Sequence, residues 1–194
     1  MNNKIAIQMD SIESIDLEFD TSFMIILEGQ KRNYEIFYYN PHDLYYNEGT
    51  VQASGFYIQL NENNEKYFEY LSKKIVVDLN NFNYVFVRQD PPFNMNYITS
   101  TYLLELLPSS SLVINNPTSI RNFSEKIFPF MFKEYMAPTI VSQDVDVLKK
   151  FLLKHEDIII KPLYGSGGEG IFRSTIKDDN LIGINTNTKI LDEP

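Results

Sequence analysis

The sequence predicts an α/β protein, and three observations predict it: apolar strand-like segments alternate with helix-patterned ones, the opening reads β-α-β, and a lysine-glycine segment near the C-terminal end is bracketed by apolar strands. Lys4 to Met9 reads as the first strand. Asp20 and Thr21 then cap a helix whose Phe23, Ile26 and Leu27 recur on one face, before Gly29 and Asn33 weaken it. Tyr34 to Tyr39 is the second strand, so the opening calls for a parallel pair with a crossover helix. Tyr45 to Leu60, broken by Asn47-Glu48-Gly49, reads as a hairpin. Glu62 to Ser72 is expected as a helix, Tyr84 to Val87 as a strand, Ile98 to Leu107 as a helix and Leu112 to Ile114 as a strand, completing a Rossmann-like unit.

After Asn115-Asn116-Pro117 the pattern shifts to short helical pieces, Ser119 to Asn122 and Glu125 to Phe132, and the domain boundary is expected there, with residues 1–117 in one domain and 118–194 in the next. The second part is expected to be α+β: a strand at Thr139 to Val141, a helix from Asp144 to Lys154 carrying Val145, Leu148 and Leu152 on one face, and a strand at Asp157 to Lys161. Beyond Arg173 the sequence turns polar and ends at Asp192-Glu193-Pro194 without the apolar elements that would close a sheet.

At 194 residues, 43% hydrophobic and 14% aromatic, the chain has enough apolar material for one large core or two small ones. A net charge of −9 leaves no broad basic face for a phosphate backbone, which argues against a nucleic-acid partner. With no cysteine there is neither a disulfide framework nor thiolate metal ligation. No apolar run is long enough to span a membrane and the first residues do not read as a signal peptide, so a cytoplasmic location is expected.

Half of the 8 glycines fall in one segment, Lys161-Pro162-Leu163-Tyr164-Gly165-Ser166-Gly167-Gly168-Glu169-Gly170. Glycines in such a loop let consecutive N–H groups converge on phosphate oxygens, and a lysine supplies charge. The segment lacks the Gly-Lys-Ser/Thr and following helix of a P-loop, and an apolar run follows it, so a loop between strands is expected. Lys126 taken alone is a solvated helix charge. Arg88 ends a strand and begins Arg88-Gln89-Asp90-Pro91-Pro92-Phe93, where open α/β sheets bind ligands, so it is a clamp for a carboxylate or phosphate or else the partner of Asp90 in a surface ion pair. Asp10 and Ser11 follow the first strand and have the same placement. His42 and His155 stand without a second ligand at metal spacing and read as structural. The many tyrosines and phenylalanines read as core and sheet surface.

Taken in order, Asp10-Ser11-Ile12, Asp20-Thr21-Ser22-Phe23 leading to Leu27-Glu28, the Arg88 to Phe93 segment, Asn115-Asn116-Pro117 with Arg121 and Glu125-Lys126, and Ile160-Lys161-Pro162 with the glycine loop resemble the bacterial-type glutathione synthetase family of ATP-grasp ligases. The resemblance runs from about Lys4 to Arg173. It implies a Rossmann-like, pre-ATP-grasp substrate domain over 1–117 and the first part of an α+β ATP-grasp domain over 118–194. It implies that Lys126 and Lys161 contact ATP, that Gly165, Ser166, Gly167, Gly168, Glu169 and Gly170 form a lid loop over the phosphates, and that Asp10, Ser11 and Arg88 lie toward γ-glutamylcysteine. The implied reaction activates the cysteinyl carboxylate of γ-glutamylcysteine with ATP and joins it to glycine, giving glutathione, ADP and phosphate.

Tyr164 and Asn116 depart from the pattern, standing where relatives often carry a small acidic residue and a lysine. Relatives continue through a further segment that supplies the magnesium ligands and substrate arginines, so no metal ligand or catalytic residue is expected here, and these residues are expected to be inactive alone. A homo-oligomer, or association with a separate C-terminal fragment, is the implied assembly. The alternatives are a non-catalytic binding module and another ATP-grasp carboxylate-amine ligase.

Overall fold

The computed structural model describes residues 3–62, 66–165 and 167–177, and contacts divide the chain into two units, Met1–Phe123 and Ser124–Pro194. Among the described residues no helix is long and apolar enough to cross a membrane.

The first unit is built on β1 (Lys4–Gln8), α1 (Thr21–Lys31) and β2 (Glu35–Tyr39), and β1 and β2 pair in parallel, Lys4 opposite Glu35 through Gln8 opposite Tyr39. The Asp20 side chain starts α1 by accepting the Ser22 N–H at 2.6 Å, and the left-handed Asn33 (φ 62°) follows its end. β3 (Leu44–Asn47) and β4 (Thr50–Leu60) form the expected hairpin. Two further strands, β5 (Phe68–Tyr70) and β6 (Ile75–Asp78), pair antiparallel with the far and near halves of β4. β7 (Tyr84–Val87) pairs in parallel with β1, α2 (Met95–Glu105) crosses over, and β8 (Leu112–Ile114) pairs in parallel with β7. The sheet order is β3-β4-β2-β1-β7-β8, with β5 and β6 added along β4.

The expected helix from Glu62 to Ser72 is absent from its described residues, which carry β5 instead. Phe68 and Tyr70 stand two apart and are aromatic, a choice that suits a pleated surface, and the edge of β4 gave them a ladder to join.

Successive residues of β1 and β2 point to opposite faces, so the sheet has a core on each side. Ile5, Ile7, Ile36 and Tyr38 pack with Phe23, Ile26 and Leu27 of α1. Ala6, Phe37 and Tyr39 face Val85, Val87 and Leu104. At Gly55, between the half of β4 that pairs with β3 and β6 and the half that pairs with β2 and β5, a Cβ would lie 2.1 Å from the Tyr38 carbonyl oxygen, so no larger residue fits without moving backbone.

α3 (Pro117–Asn122) closes the unit, with Asn116 accepting the Ser119 N–H at 2.9 Å. Arg121 ties it to α2: its guanidinium bonds Glu105 and Thr101 and lies 4.2 Å from the Tyr102 ring.

The second unit has a 3-10 segment (Phe128–Tyr135), α4 (Val145–His155), and the antiparallel pair β9 (Asp157–Ile160) and β10 (Phe172–Thr175). Asp144 caps α4 through the N–H groups of Asp146 and Val147, and left-handed Glu156 (φ 61°) ends it. The helix expected at Glu125 to Phe132 is instead a turn followed by the 3-10 segment. Thr139 to Val141, expected as a strand, is irregular and has no ladder partner among the described residues.

Candidate functional site

In the first unit, the chain leaves the carboxyl ends of β1 and β7 side by side, because the strands are parallel neighbours. β1 delivers Asp10 and Ser11, and β7 delivers Arg88, Gln89 and Asp90. The Arg88 N–H donates to the Gln8 carbonyl at 2.7 Å, and the Asp90 N–H donates to the Asp10 carboxylate at 2.6 Å. One carboxylate therefore fixes both loops. The Arg88 guanidinium turns toward the start of α1, Nε donating to Ser22 Oγ at 3.1 Å and Nη2 to Thr21 Oγ1 at 2.7 Å. The alternative Arg88–Asp90 ion pair is not among the salt bridges of the described residues; two neutral hydroxyls take its place, which leaves the positive charge uncompensated by them.

α2 closes this edge from the other side. Asn94 caps it by accepting the N–H groups of Asn96 and Tyr97, and the Phe93 ring lies 5.1 Å from that of Tyr97. Burial pushes the Tyr97 hydroxyl up, Arg88 pulls it back, and Asp10 and Asp90 add to the rise, so all three charges act on this ring. Thr21 and Ser22 as partners of Arg88, and Tyr97 beside them, were not expected from the sequence. The signal for Tyr97 was the Asn94 cap, which places it in the first turn of a helix entered directly from Asp90-Pro91-Pro92-Phe93.

Ser11 is exposed, and its hydroxyl donates to the Glu13 carboxylate. The Tyr70 hydroxyl donates to the other Glu13 oxygen at 2.6 Å. The bonds from Ser11 and Tyr70 hold the Glu13 carboxyl below its ordinary value.

In the second unit, β9 and β10 pair from Ile160 opposite Phe172, so the glycine segment is the loop between two antiparallel strands, as expected. Gly167, Gly168 and Gly170 have φ of 63°, 81° and 68°, a region that residues with a Cβ rarely adopt. Gly165 and Glu169 are exposed, and Ser166 lies outside the described residues. Lys126 does not lie on a helix: it belongs to the turn before the 3-10 segment, its side chain is only 20% exposed, and its ammonium donates to the Gly165 carbonyl at 2.6 Å. Two segments far apart in sequence thus meet at the loop. Lys161 sits one residue past β9, exposed, at the start of the same loop. Among the described residues no group of three or more His, Asp or Glu is placed to hold a metal ion.

Compared with proteins of known function, the chain matches the family model for the prokaryotic glutathione synthetase N-terminal domain over residues 3–121 and that for the family's ATP-grasp domain over 125–192. It is 40% identical to a glutathione synthetase of Mesorhizobium japonicum, over 95% of this chain and 58% of that protein. With one of Agrobacterium fabrum the identity is 42%, over 91% of this chain and 55% of the relative. The chain therefore spans little more than half the length of these relatives. Among solved structures, D-alanyl-alanine synthetase A of Vibrio cholerae has a TM-score of 0.55 at 12% identity, covering 98% of this chain and 58% of that one. The macrocyclase MdnC of Microcystis aeruginosa, solved with its precursor peptide MdnA, has 0.58 at 13%, covering 96% and 62%. At such identities the likeness is one of fold alone. The α/β class, a Rossmann-like unit followed by α+β structure of the ATP-grasp kind, agrees with both family models, and the chain belongs to the prokaryotic glutathione synthetase family.

Proposed function

We propose that this chain serves the ATP-dependent joining of glycine to γ-glutamylcysteine, its first unit holding the dipeptide and its second the nucleotide. The observation that carries the reading is the meeting of Asp10 and Arg88, 78 residues apart, at one sheet edge in a chain of this family. Arg88 offers a carboxylate its remaining donors, already oriented by Thr21 and Ser22. Asp10 and Ser11 offer acceptor oxygens to an ammonium or amide N–H.

In the proposed reaction the cysteinyl carboxylate takes the γ-phosphoryl group and ADP leaves. The glycine amine, having lost one proton from its ammonium form, then attacks the acyl carbon; the C–N bond forms as the C–O bond to phosphate breaks, and the nitrogen sheds a second proton, one of the two being taken up by the departing phosphate. Both reactants of the first step are anions, so cationic side chains and oriented N–H groups must offset their repulsion. Lys126, Lys161 and the loop from Gly165 to Gly170 take that part, the positive-φ glycines allowing the backbone to approach the phosphates. Magnesium would supply charge neutralisation to such chemistry, and among the described residues no cluster of acidic side chains fits it. The proposed setting is cytoplasmic, with small-molecule substrates and no nucleic acid or membrane, and with a homo-oligomer or a separate C-terminal fragment as the assembly.

The alternative reading is a binding module without turnover of its own. A chimera decides between them. When residues 3–177 replace the matching region of the Agrobacterium fabrum relative, glutathione formation from γ-glutamylcysteine, glycine and ATP is expected to be retained. A folded chimera that binds both substrates without turnover supports the module instead.

A further inference from the structure

The turn that carries Asp10 and Ser11 is tied down by hydroxyls from aromatic residues that the functional reading does not use. The Tyr38 hydroxyl donates to the Asp10 carbonyl and accepts the Ile12 N–H, both at 3.3 Å, so it spans the turn around Ser11. The Tyr67 hydroxyl donates to the Ile12 carbonyl at 2.8 Å, and Tyr70 donates to Glu13 at 2.6 Å. Glu13 in turn accepts the hydrogen bond of the Ser11 hydroxyl. Every residue from Asp10 to Glu13 is thus held by a tyrosine, directly or through Glu13.

The rings bearing these hydroxyls are themselves fixed. Tyr38 is 6% exposed in the core of β2. Tyr67 meets Phe23 edge-on at 6.3 Å and Phe68 at 5.1 Å, while Tyr70 lies 4.3 Å from Phe56 and 5.3 Å from Phe68. The buried Ile12 side chain already anchors the turn to the core, so the hydroxyls add direction more than attachment. Their direction matters because Asp10 must reach the Asp90 N–H across the gap between β1 and β7.

We propose that Tyr38, Tyr67 and Tyr70 are positioning residues for the Asp10–Ser11 turn, presenting it to the amino group of the dipeptide. The inference rests on the proposed placement of γ-glutamylcysteine at this edge. Ser11, its hydroxyl donating to Glu13, presents its lone pairs, and the Asp10 carboxylate is an acceptor, so the face suits a donor group on the ligand.

The test uses Tyr38→Phe, Tyr67→Phe and Tyr70→Phe in the full chain, because phenylalanine keeps the ring packing. Amide exchange is read at Asp90, which none of these tyrosines touches, with Ala6 and Val85 as core references. Asp90 exchange should rise about fivefold in Tyr38→Phe and Tyr67→Phe while Ala6 and Val85 stay unchanged. The affinity for γ-glutamylcysteine should fall about fivefold in the same variants, and that for N-glutaryl-cysteine, which lacks the amino group, should change less. ATP affinity should not move. Unchanged Asp90 exchange in all three variants overturns the proposal, as does faster exchange with undiminished dipeptide affinity. If the unsubstituted chain binds no dipeptide, the substrate assignment fails; a rise at Asp90 would then show only that the tyrosines set the turn. Should Tyr38→Phe destabilise the whole unit, the Ala6 and Val85 amides report it, and the less buried Tyr67 and Tyr70 carry the test.

Discussion

The sheet edge of the first unit and the glycine loop of the second are built in opposite ways. Around Asp10 and Arg88, side chains and backbone from β1, β2, β7, α1 and the β5 segment interlock above two buried cores. Around the loop, the described hydrogen bonds include Lys126 to the Gly165 carbonyl and the Ile171 N–H to the Gly168 carbonyl at 3.3 Å, Tyr164 is 70% exposed, and Leu152 is the one large apolar side chain fully buried among the described residues of that unit. The difference teaches where order comes from: at the first edge side chains from distant segments meet, whereas the described course of the loop is set by glycines at positive φ.

The largest effect that sharpens the contrast is expected at Gly55. Gly55→Ala places a methyl group against the Tyr38 carbonyl and should destabilise the first unit by about 3 kcal/mol, read as a lower denaturation midpoint. Gly168→Ala, by contrast, meets nothing within 4 Å and is strained only through its φ of 81°, so about 1 kcal/mol is expected, confined to the second unit. Equal losses at the two positions would erase the distinction between a packed and an open region.

A smaller effect separates the two regions by pH and salt. Glu13 is held below its ordinary value of 4.5 by the hydroxyls of Ser11 and Tyr70, and Asp157 below its ordinary 3.8 by the Arg173 guanidinium. A depressed carboxyl stabilises the fold above its unfolded pKa and loses that contribution as the pH falls through the folded value, so both networks weaken only in acid. Tyr70→Phe should move the Glu13 titration back toward 4.5 by carboxyl-carbon NMR. At about 1 M salt the shift at Asp157, which comes from an exposed charge, should shrink more than that at Glu13, which comes from neutral donors.

Much of the first unit was legible because its signals are local. Asp20 caps α1, Phe23, Ile26 and Leu27 share its buried face, and the apolar runs of β1, β2, β7 and β8 appear where expected. The position of Arg88 and Asp10 at strand ends followed from those runs. What was not legible depends on pairing at a distance. β5 forms on the second edge of the far half of β4, where Ile58 has Ile36 of β2 on one side and Tyr70 on the other, and nothing in Phe68-Glu69-Tyr70 states that. Likewise, the hydroxyl partners of Arg88 lie 66 and 67 residues away, and only the parallel register of β1 and β7 brings α1 and the β7 loop together. The glycine loop was readable as a loop between strands, but its contact with Lys126 depends on how the chain returns after 39 residues.

In the proposed function the dipeptide end and the nucleotide end reside on different units, and a crossed calorimetric titration of this chain tests that most directly. Arg88→Ala, Lys126→Met and Lys161→Met are each titrated with γ-glutamylcysteine and with ATP. Arg88→Ala is expected to weaken the dipeptide by about 2 kcal/mol and leave ATP unchanged, and each lysine variant to weaken ATP by about 1–3 kcal/mol and leave the dipeptide unchanged. Loss of ATP affinity in Arg88→Ala, or undiminished ATP affinity in both lysine variants, would contradict it.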